Sequence, residues 1–242
     1  MSNGINTIER VRSIIKRSSN IVFLGGAGVS TESNIPDFKS NKGLFQQGRS
    51  VEEIVSSSFF KKYPEEFYSF YRKHLIHENA QPNLAHQSLA RLEQQGKIKA
   101  IITQNIDGLH QHAGSHIVLE LHGSVHRNFC IDCDMFYGLD KILNNEETIP
   151  RCEQCEGIIK PDVVLYEERL DEDILDSAVD FISKAEILIV GGTSLSVYPA
   201  AGLIEYYRGD YFILINKAPT PYDSMANYVI HDHIGKVMSK LV

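Results

Sequence analysis

Short apolar runs of four to six residues recur along this chain, and most end abruptly in glycine or in polar residues. Residues 21–24 run into Gly25-Gly26-Ala27-Gly28, residues 98–103 into Gln104-Asn105, and residues 117–121 into His122-Gly123. Residues 163–166, 187–190 and 212–215 repeat the pattern, the last two ending at Gly191-Gly192 and Asn216. Between them lie stretches of helical period: Ile5, Ile8, Val11 and Ile15, then Phe67, Phe70, Tyr71 and Leu75 behind Pro64. Asn83 is placed to cap a helix carrying Leu84, Leu89 and Leu92, with Gly96 just past its end, and residues 171–184 form another. Apolar runs this short and continuous are strands buried on both faces, and their alternation with helices predicts a parallel sheet. The expected fold is α/β, a doubly wound, Rossmann-like parallel sheet.

Two stretches break the alternation, residues 34–81 and 128–158. The second is polar and turn-rich, and it holds all four cysteines as Cys130-x2-Cys133 and Cys152-x2-Cys155, 18 residues apart. Two such turns offer four thiolates to one tetrahedral Zn²⁺. Two disulfides or four unrelated thiols are the alternatives; the first suits an oxidising compartment and the second makes the spacing chance. Four thiolates leave no open position for water, so the expected zinc is structural. The expected division is a Rossmann-like domain of residues 1–33, 82–127 and 159–242. A smaller inserted domain joins the helical module of residues 34–81 to the zinc ribbon of residues 128–158.

Charge and length exclude several classes. The 242 residues carry a net charge of −7, against the basic footprint of most nucleic-acid binders. The cysteine-bearing stretch has seven acidic residues against Lys141 and Arg151, so it would repel phosphate. No apolar run approaches the ~18 residues of a membrane span. Residues 1–12 are polar with helical spacing rather than signal-like, which predicts a cytoplasmic protein.

Ligands of open α/β sheets sit beyond the carboxyl ends of the strands. Gly26-Ala27-Gly28 is a turn through which backbone amides approach a pyrophosphate, although Thr31 stands where a third glycine is usual; an ordinary tight turn looks the same. Gln104, Asn105 and Asp107 are costly to bury without partners. His122 faces the same side and is a natural general base near neutral pH, with nine other histidines as competitors. Gly192, Thr193 and Ser194 follow a third strand and Asn216 a fourth. Four such strand ends predict a nucleotide crevice; a solvated rim is the alternative.

With these stretches the chain resembles the sirtuin family, the NAD-dependent protein-lysine deacylases, in its bacterial form. The matching segments are GAGVSTESNIPDFK (residues 26–39), TQNIDGLHQHAG (103–114), ELHGS (120–124), the four cysteines, KPDVVLYEE (160–168), GTSLSVYPA (192–200) and INKAPTPYD (215–223). The resemblance implies NAD as a consumed co-substrate. Ala27, Thr31, Phe38 and Lys39 would cover it, beside Gly26 and Gly28. Gln104, Ile106 and Asp107 would meet the nicotinamide and its ribose, and Asn105 would order the ribose or a water. Thr193, Ser194, Asn216 and Asp232 would hold the adenosine half. Val163, Val164, Leu165 and Tyr166 on one edge, with Ser196 and Val197 on the other, would bind an acyl-lysine peptide as an added strand. His122 would be the base that lets the ribose 2′-oxygen attack, releasing lysine and O-acyl-ADP-ribose. Asn34 stands where the family usually has glycine, and Lys39 where it has arginine.

Sirtuins that prefer succinyl or malonyl lysine carry Tyr-x-x-Arg in the helical insertion. Here Tyr68 is followed at that distance by Tyr71, and Arg72 comes one position late. On a helix one position turns a side chain by ~100°. Neutral acyl groups, acetyl foremost, are therefore expected to be preferred. The expected partners are acyl-lysine proteins or peptides, with no nucleic acid and no membrane. Two other readings use the same residues: a protein mono-ADP-ribosyltransferase on the same NAD site, and a zinc-ribbon scaffold whose NAD pocket is a sensor.

Overall fold

The six strands of the main sheet are all parallel. They are β1 (Ile21–Gly25), β2 (Ile98–Thr103), β3 (Val118–Glu120), β7 (Ile187–Gly191), β8 (Tyr211–Ile215) and β9 (Tyr228–Ile230), arranged β3-β2-β1-β7-β8-β9. The structure, a computed structural model, describes residues 2–37, 48–144 and 147–242. Phe38 and Lys39 lie outside the described residues. Counted within this sheet alone, the order is 3-2-1-4-5-6, the arrangement of dinucleotide-binding folds.

The side-chain period of two sorts each strand between two cores. Ile21 and Phe23 of β1, with Ile187 and Ile189 of β7, pack under three helices: α1 (Ser2–Arg17), α5 (Leu84–Gln94) and α9 (Ile234–Leu241). Val22, Leu24, Leu188 and Val190 pack on the other face under α8 (Glu172–Lys184) and a 3₁₀ helix, Ala200–Tyr206. The helix starts are chemically specified. The Asn83 side chain accepts from the Ala85 amide at 2.8 Å, and His86 accepts back from the Asn83 amide at 3.2 Å. Asp171 caps α8 by accepting from the Ile174 amide at 3.0 Å. Among the described residues no helix is long and apolar enough to cross a membrane.

A second, three-stranded antiparallel sheet stands beside the first, ordered β5-β4-β6. It comprises β4 (Gly123–Cys130), β5 (Phe136–Tyr137) and β6 (Ile159–Val163). Its core is shared with the helical insertion, which contributes α2 (Val51–Ile54), α3 (Ser57–Lys62) and α4 (Pro64–His74). Phe60, Phe67, Tyr68 and Tyr71 pack against Ile142 of α7 (Leu139–Leu143), Ile159 and Cys130 in one cluster. The Tyr68 hydroxyl donates to the Ile159 carbonyl across it. Helical module and ribbon therefore bury one another, as small units with too little apolar surface must.

The strand expected at residues 163–166 is displaced. It runs over Ile159–Val163 and belongs to the small sheet. The Val164 amide donates to the His122 carbonyl and the Tyr166 amide to Val55, so residues 164–166 are drawn to two different elements instead of one ladder. Past Pro199 the chain forms the 3₁₀ segment Ala200–Tyr206 rather than an α-helix.

Candidate active site

The strand order reverses between β1 and β7, and both strands end in buried glycine. Beyond them the backbones of two loops touch: the Gly28 amide donates to the Gly192 carbonyl at 2.7 Å. A Cβ on Gly28 would lie 2.7 Å from that carbonyl oxygen, and one on Gly192, where φ is +61°, would lie 2.4 Å from the Val29 nitrogen. A Cβ on Gly26 would meet Thr193 at 2.9 Å. The glycines thus hold open a backbone-lined cradle at the switch point, where such sheets bind dinucleotides. Gly28 serves by proximity, because its own amide is spent within the protein. Two 3₁₀ turns, Ala27–Val29 and Thr31–Ser33, follow, and the Thr31 hydroxyl donates to the Gly28 carbonyl at 2.9 Å. Asn34 closes them at φ +63°, a left-handed conformation that asparagine tolerates better than most residues.

The polar run after β2 folds into the same crevice. Asn105 Nδ2 donates to Ser30 Oγ at 3.0 Å, and Ser30 Oγ donates onward to Asp107 Oδ2 at 2.6 Å. Asp107 Oδ1 accepts from the Leu109 amide at 2.9 Å, which opens α6 (Leu109–His112). Gln104 Nε2 donates to Thr193 Oγ1 at 3.2 Å, joining the end of β2 to the end of β7 across β1. Gln104, Asn105, Asp107, Thr31 and Thr193 therefore surround one cradle with Gly26, Ala27 and Gly28. Ile106 packs against the core of the small unit.

His122 follows β3. Its Nδ1 lies 2.9 Å from the Gln104 carbonyl oxygen, an acceptor only, so Nδ1 carries the proton and Nε2 carries the lone pair. Burial lowers its pKa from the ordinary histidine value, against the opposing effect of the Gln104 hydrogen bond. Two competitors are shut off from the crevice by burial, His86 at 0% and His110 at 1% exposure. Burial pushes His86 down to about 4 in spite of Asp107, and pushes the fully buried His110 well below its ordinary value. Gly123 follows at φ +74°, and a Cβ there would lie 1.9 Å from the Asp162 carbonyl oxygen, so β4 and β6 close directly behind His122 only with glycine at this position.

On the expected peptide edges, the Val164 amide donates to the His122 carbonyl at 3.0 Å, which puts that edge beside the base. Tyr166 is exposed, whereas the Val163 and Leu165 side chains turn into the small core. Ser194 and Ser196 hydroxyls lie 2.9 Å apart on the opposite loop, and Val197 follows them. Asn216 stands at the end of β8, its Nδ2 donating to the Ala218 carbonyl at 2.7 Å. Asp232 is spoken for by the Lys236 ammonium at 2.6 Å and the His233 amide at 2.8 Å, which hold its carboxyl below the usual range.

Two residues escaped the sequence reading. Ser30, 1% exposed, is the hub between Asn105 and Asp107. Arg127 bridges Glu120 at 2.6 Å and Asp162 at 2.7 Å, tying the main sheet to the small one beside His122. Residue 30 has no spacing relation to 105 or 107, and no local pattern announces the Arg127 bridge.

The four cysteines converge as their spacing predicts, with all four Sγ atoms within 4.8 Å of one another. The pairs Cys130–Cys155, Cys133–Cys152 and Cys133–Cys155 are 3.4, 3.6 and 3.3 Å apart. Four ligands at the usual zinc–sulfur distance imply separations of ~3.8 Å, so the set fits one tetrahedral zinc ion. The two turns are alike. Asp134 and Glu156 each follow a pair's second cysteine with positive φ, and each donates its amide to the carbonyl of that pair's first cysteine at 3.0 Å. Tyr137 donates to Cys152 Sγ at 3.2 Å, a hydrogen bond of the kind that orients metal ligands.

The Sir2 family model matches residues 26–199. A Clostridium tetani protein named NAD-dependent protein deacetylase is 56% identical over 242 residues, covering 98% of this chain and 98% of its own. One of that name from Clostridium perfringens is 58% identical, covering 97% of this chain and 98% of its own. A Sir2 structure with a peptide and NAD⁺ has a TM-score of 0.85 at 38% identity, covering 97% of this chain and 96% of its own. Another, bound to an acetylated peptide, has a TM-score of 0.85 at 36% identity with the same coverage. The match spans the glycine cradle, the Gln104–Asp107 run, His122 and the four cysteines, and the chain belongs to the Sir2 family.

Proposed function

We propose that the chain is an NAD-dependent protein-lysine deacetylase, converting acyl-lysine and NAD to lysine, nicotinamide and O-acyl-ADP-ribose. The observation that carries this reading is His122, whose Nδ1 is committed to the Gln104 carbonyl so that Nε2 keeps its lone pair, and whose own carbonyl accepts from the Val164 amide. NAD, when bound, supplies a ribose carbon with nicotinamide as its leaving group. Gly26, Ala27, Gly28, Gly192, Thr193 and Ser194 would hold the dinucleotide, with Asn216 and Asp232 at its adenosine end. Ser30 fixes Asp107 and Asn105 toward the nicotinamide side, and His122 takes a proton from the ribose hydroxyls. Val163–Tyr166, with Ser196 and Val197, flank the acyl-lysine.

We assign the cradle and His122 to the large domain and residues 34–81 and 128–158 to the small one, whose sheet also takes in β4 from Gly123 and β6 from Ile159. Four cysteines gathered as one zinc set fit a reducing compartment, which supports a cytoplasmic protein. The competing reading, ADP-ribosyl transfer to protein, needs the same NAD site but no acyl-lysine edge beside the base. Incubating the protein with NAD and an acetyl-lysine peptide separates them. Mass spectrometry is expected to show O-acetyl-ADP-ribose and free lysine. A peptide or protein that gains ADP-ribose and keeps its acetyl group would establish transfer instead.

Neutral acyl groups are the proposed preference. Arg72 is turned to the ribbon, with Nε donating to the Ile142 carbonyl at 2.8 Å and Nη1 to Thr148 at 2.6 Å. It is therefore engaged elsewhere, while Tyr71 occupies the inward position on α4 with no exposure. A buried carboxylate without a partner costs several kcal/mol, so kcat/KM for acetyl-lysine is expected to exceed that for succinyl-lysine by about a hundredfold or more. Equal efficiencies on matched peptides would overturn the preference.

A further inference from the structure

Asn216 is held at both ends of its backbone by consecutive residues of one neighbouring segment. Its amide donates to the Ile230 carbonyl at 3.2 Å, and its carbonyl oxygen lies 3.1 Å from His231 Nδ1. The far side of the same imidazole is gripped as well, with His231 Nε2 3.2 Å from Asp223 Oδ2. Asp223 is itself fixed, its Oδ1 accepting from the Thr220 amide at 2.9 Å and the Thr220 hydroxyl at 2.7 Å. Both partners of the ring, the Asn216 carbonyl and the Asp223 carboxylate, are hydrogen-bond acceptors. With Nδ2 of Asn216 donating to Ala218, its Oδ1 is the group it can offer to a hydroxyl donor.

We infer that His231 is a positioning residue for the adenosine end of the NAD site, clamping Asn216 between the end of β9 and the Thr220–Asp223 turn. The inference rests on the reading of Asn216 as an adenosine contact. His231 touches no reacting atom in this scheme, and its side chain is 41% exposed, so its replacement leaves the buried core intact. The clamp acts on how well NAD is held, not on the transfer.

The test is steady-state kinetics with NAD as the varied substrate, on the full-length protein with an acetyl-lysine peptide. One hydrogen bond of ordinary worth corresponds to about a fivefold change. In His231→Phe the KM for NAD is expected to rise about fivefold while kcat stays within about twofold. His231→Arg keeps donors for both acceptors and is expected to recover most of the loss, with all variants melting at the same temperature. An unchanged KM in His231→Phe overturns the inference, as does a loss confined to kcat, or a loss as large in His231→Arg as in His231→Phe. Asn216→Ala separates the two levels. If it raises the KM for NAD and His231→Phe does not, the clamp is wrong and the adenosine reading stands; if neither changes it, both fall.

Discussion

His122→Ala is expected to lose deacetylation by a factor of about 10²–10⁴, the range over which a positioned general base contributes, while NAD binding and thermal stability stay near those of the native protein. The expectation follows from the division of labour within one ring. Nδ1 is committed to the Gln104 carbonyl, so removing the ring deletes a lone pair at Nε2 and one hydrogen bond at a partly buried position. The glycine cradle, Ser30, Asn105 and Asp107 bond to one another without it. A pH profile supplies an independent check. The base works unprotonated, and burial lowers its pKa from the ordinary histidine value. The neutral fraction therefore rises at lower pH than for a solvated imidazole, and the acid limb of kcat/KM is expected below ~6.5. Full activity in His122→Ala would remove the base assignment.

What could be read from the chain and what could not divide along a physical line. Strands β1, β7 and β8 were legible because both of their faces are buried, which forces continuous apolar runs, and β2 departs from this only at exposed Lys99. The zinc site was legible because its geometry is made by two local turns, and Cys-x2-Cys spacing is itself a statement about those turns. Strand β6 was not legible. Its residues Lys160, Pro161 and Asp162 have no strand character of their own, and it exists because β4 pairs with it across the intervening residues 131–158. The apolar run just after it, at residues 163–166, drew the assignment instead. Ser30 was hidden for the same reason, since its bonds to Asn105 and Asp107 are closed only by the tertiary fold. The clamp on Asn216 likewise joins residues 216, 223 and 231 through a strand pairing that no local spacing predicts.

The second large effect is expected on removing zinc. Cys130→Ala, or chelation of the native protein, is expected to take the metal content from one zinc per chain to none and to unfold the small unit, with deacetylation falling to background. Structural zinc in small modules binds with about 10–16 kcal/mol, against a total stability of about 5–15 kcal/mol for an ordinary domain. The ribbon has little else to hold it: Phe129, Ile131, Met135 and Phe136 are exposed, and Cys130 and Cys152 are themselves part of the buried cluster. Activity should follow the fold because β4 begins at Gly123, the residue after His122, and pairs with β6, which leads into Val164. Loosening the ribbon frees the strand that sets the base and the edge that receives the substrate. A metal held by four thiolates has no open position, so its role is tested by exchange. Any tetrahedral thiolate-binding divalent ion that restores the melting transition should restore activity in proportion. Protein purified without zinc that kept both its melting transition and its activity would refute the structural assignment, whereas activity that returned with zinc alone, after another ion had already restored the fold, would show that the metal takes part in the reaction.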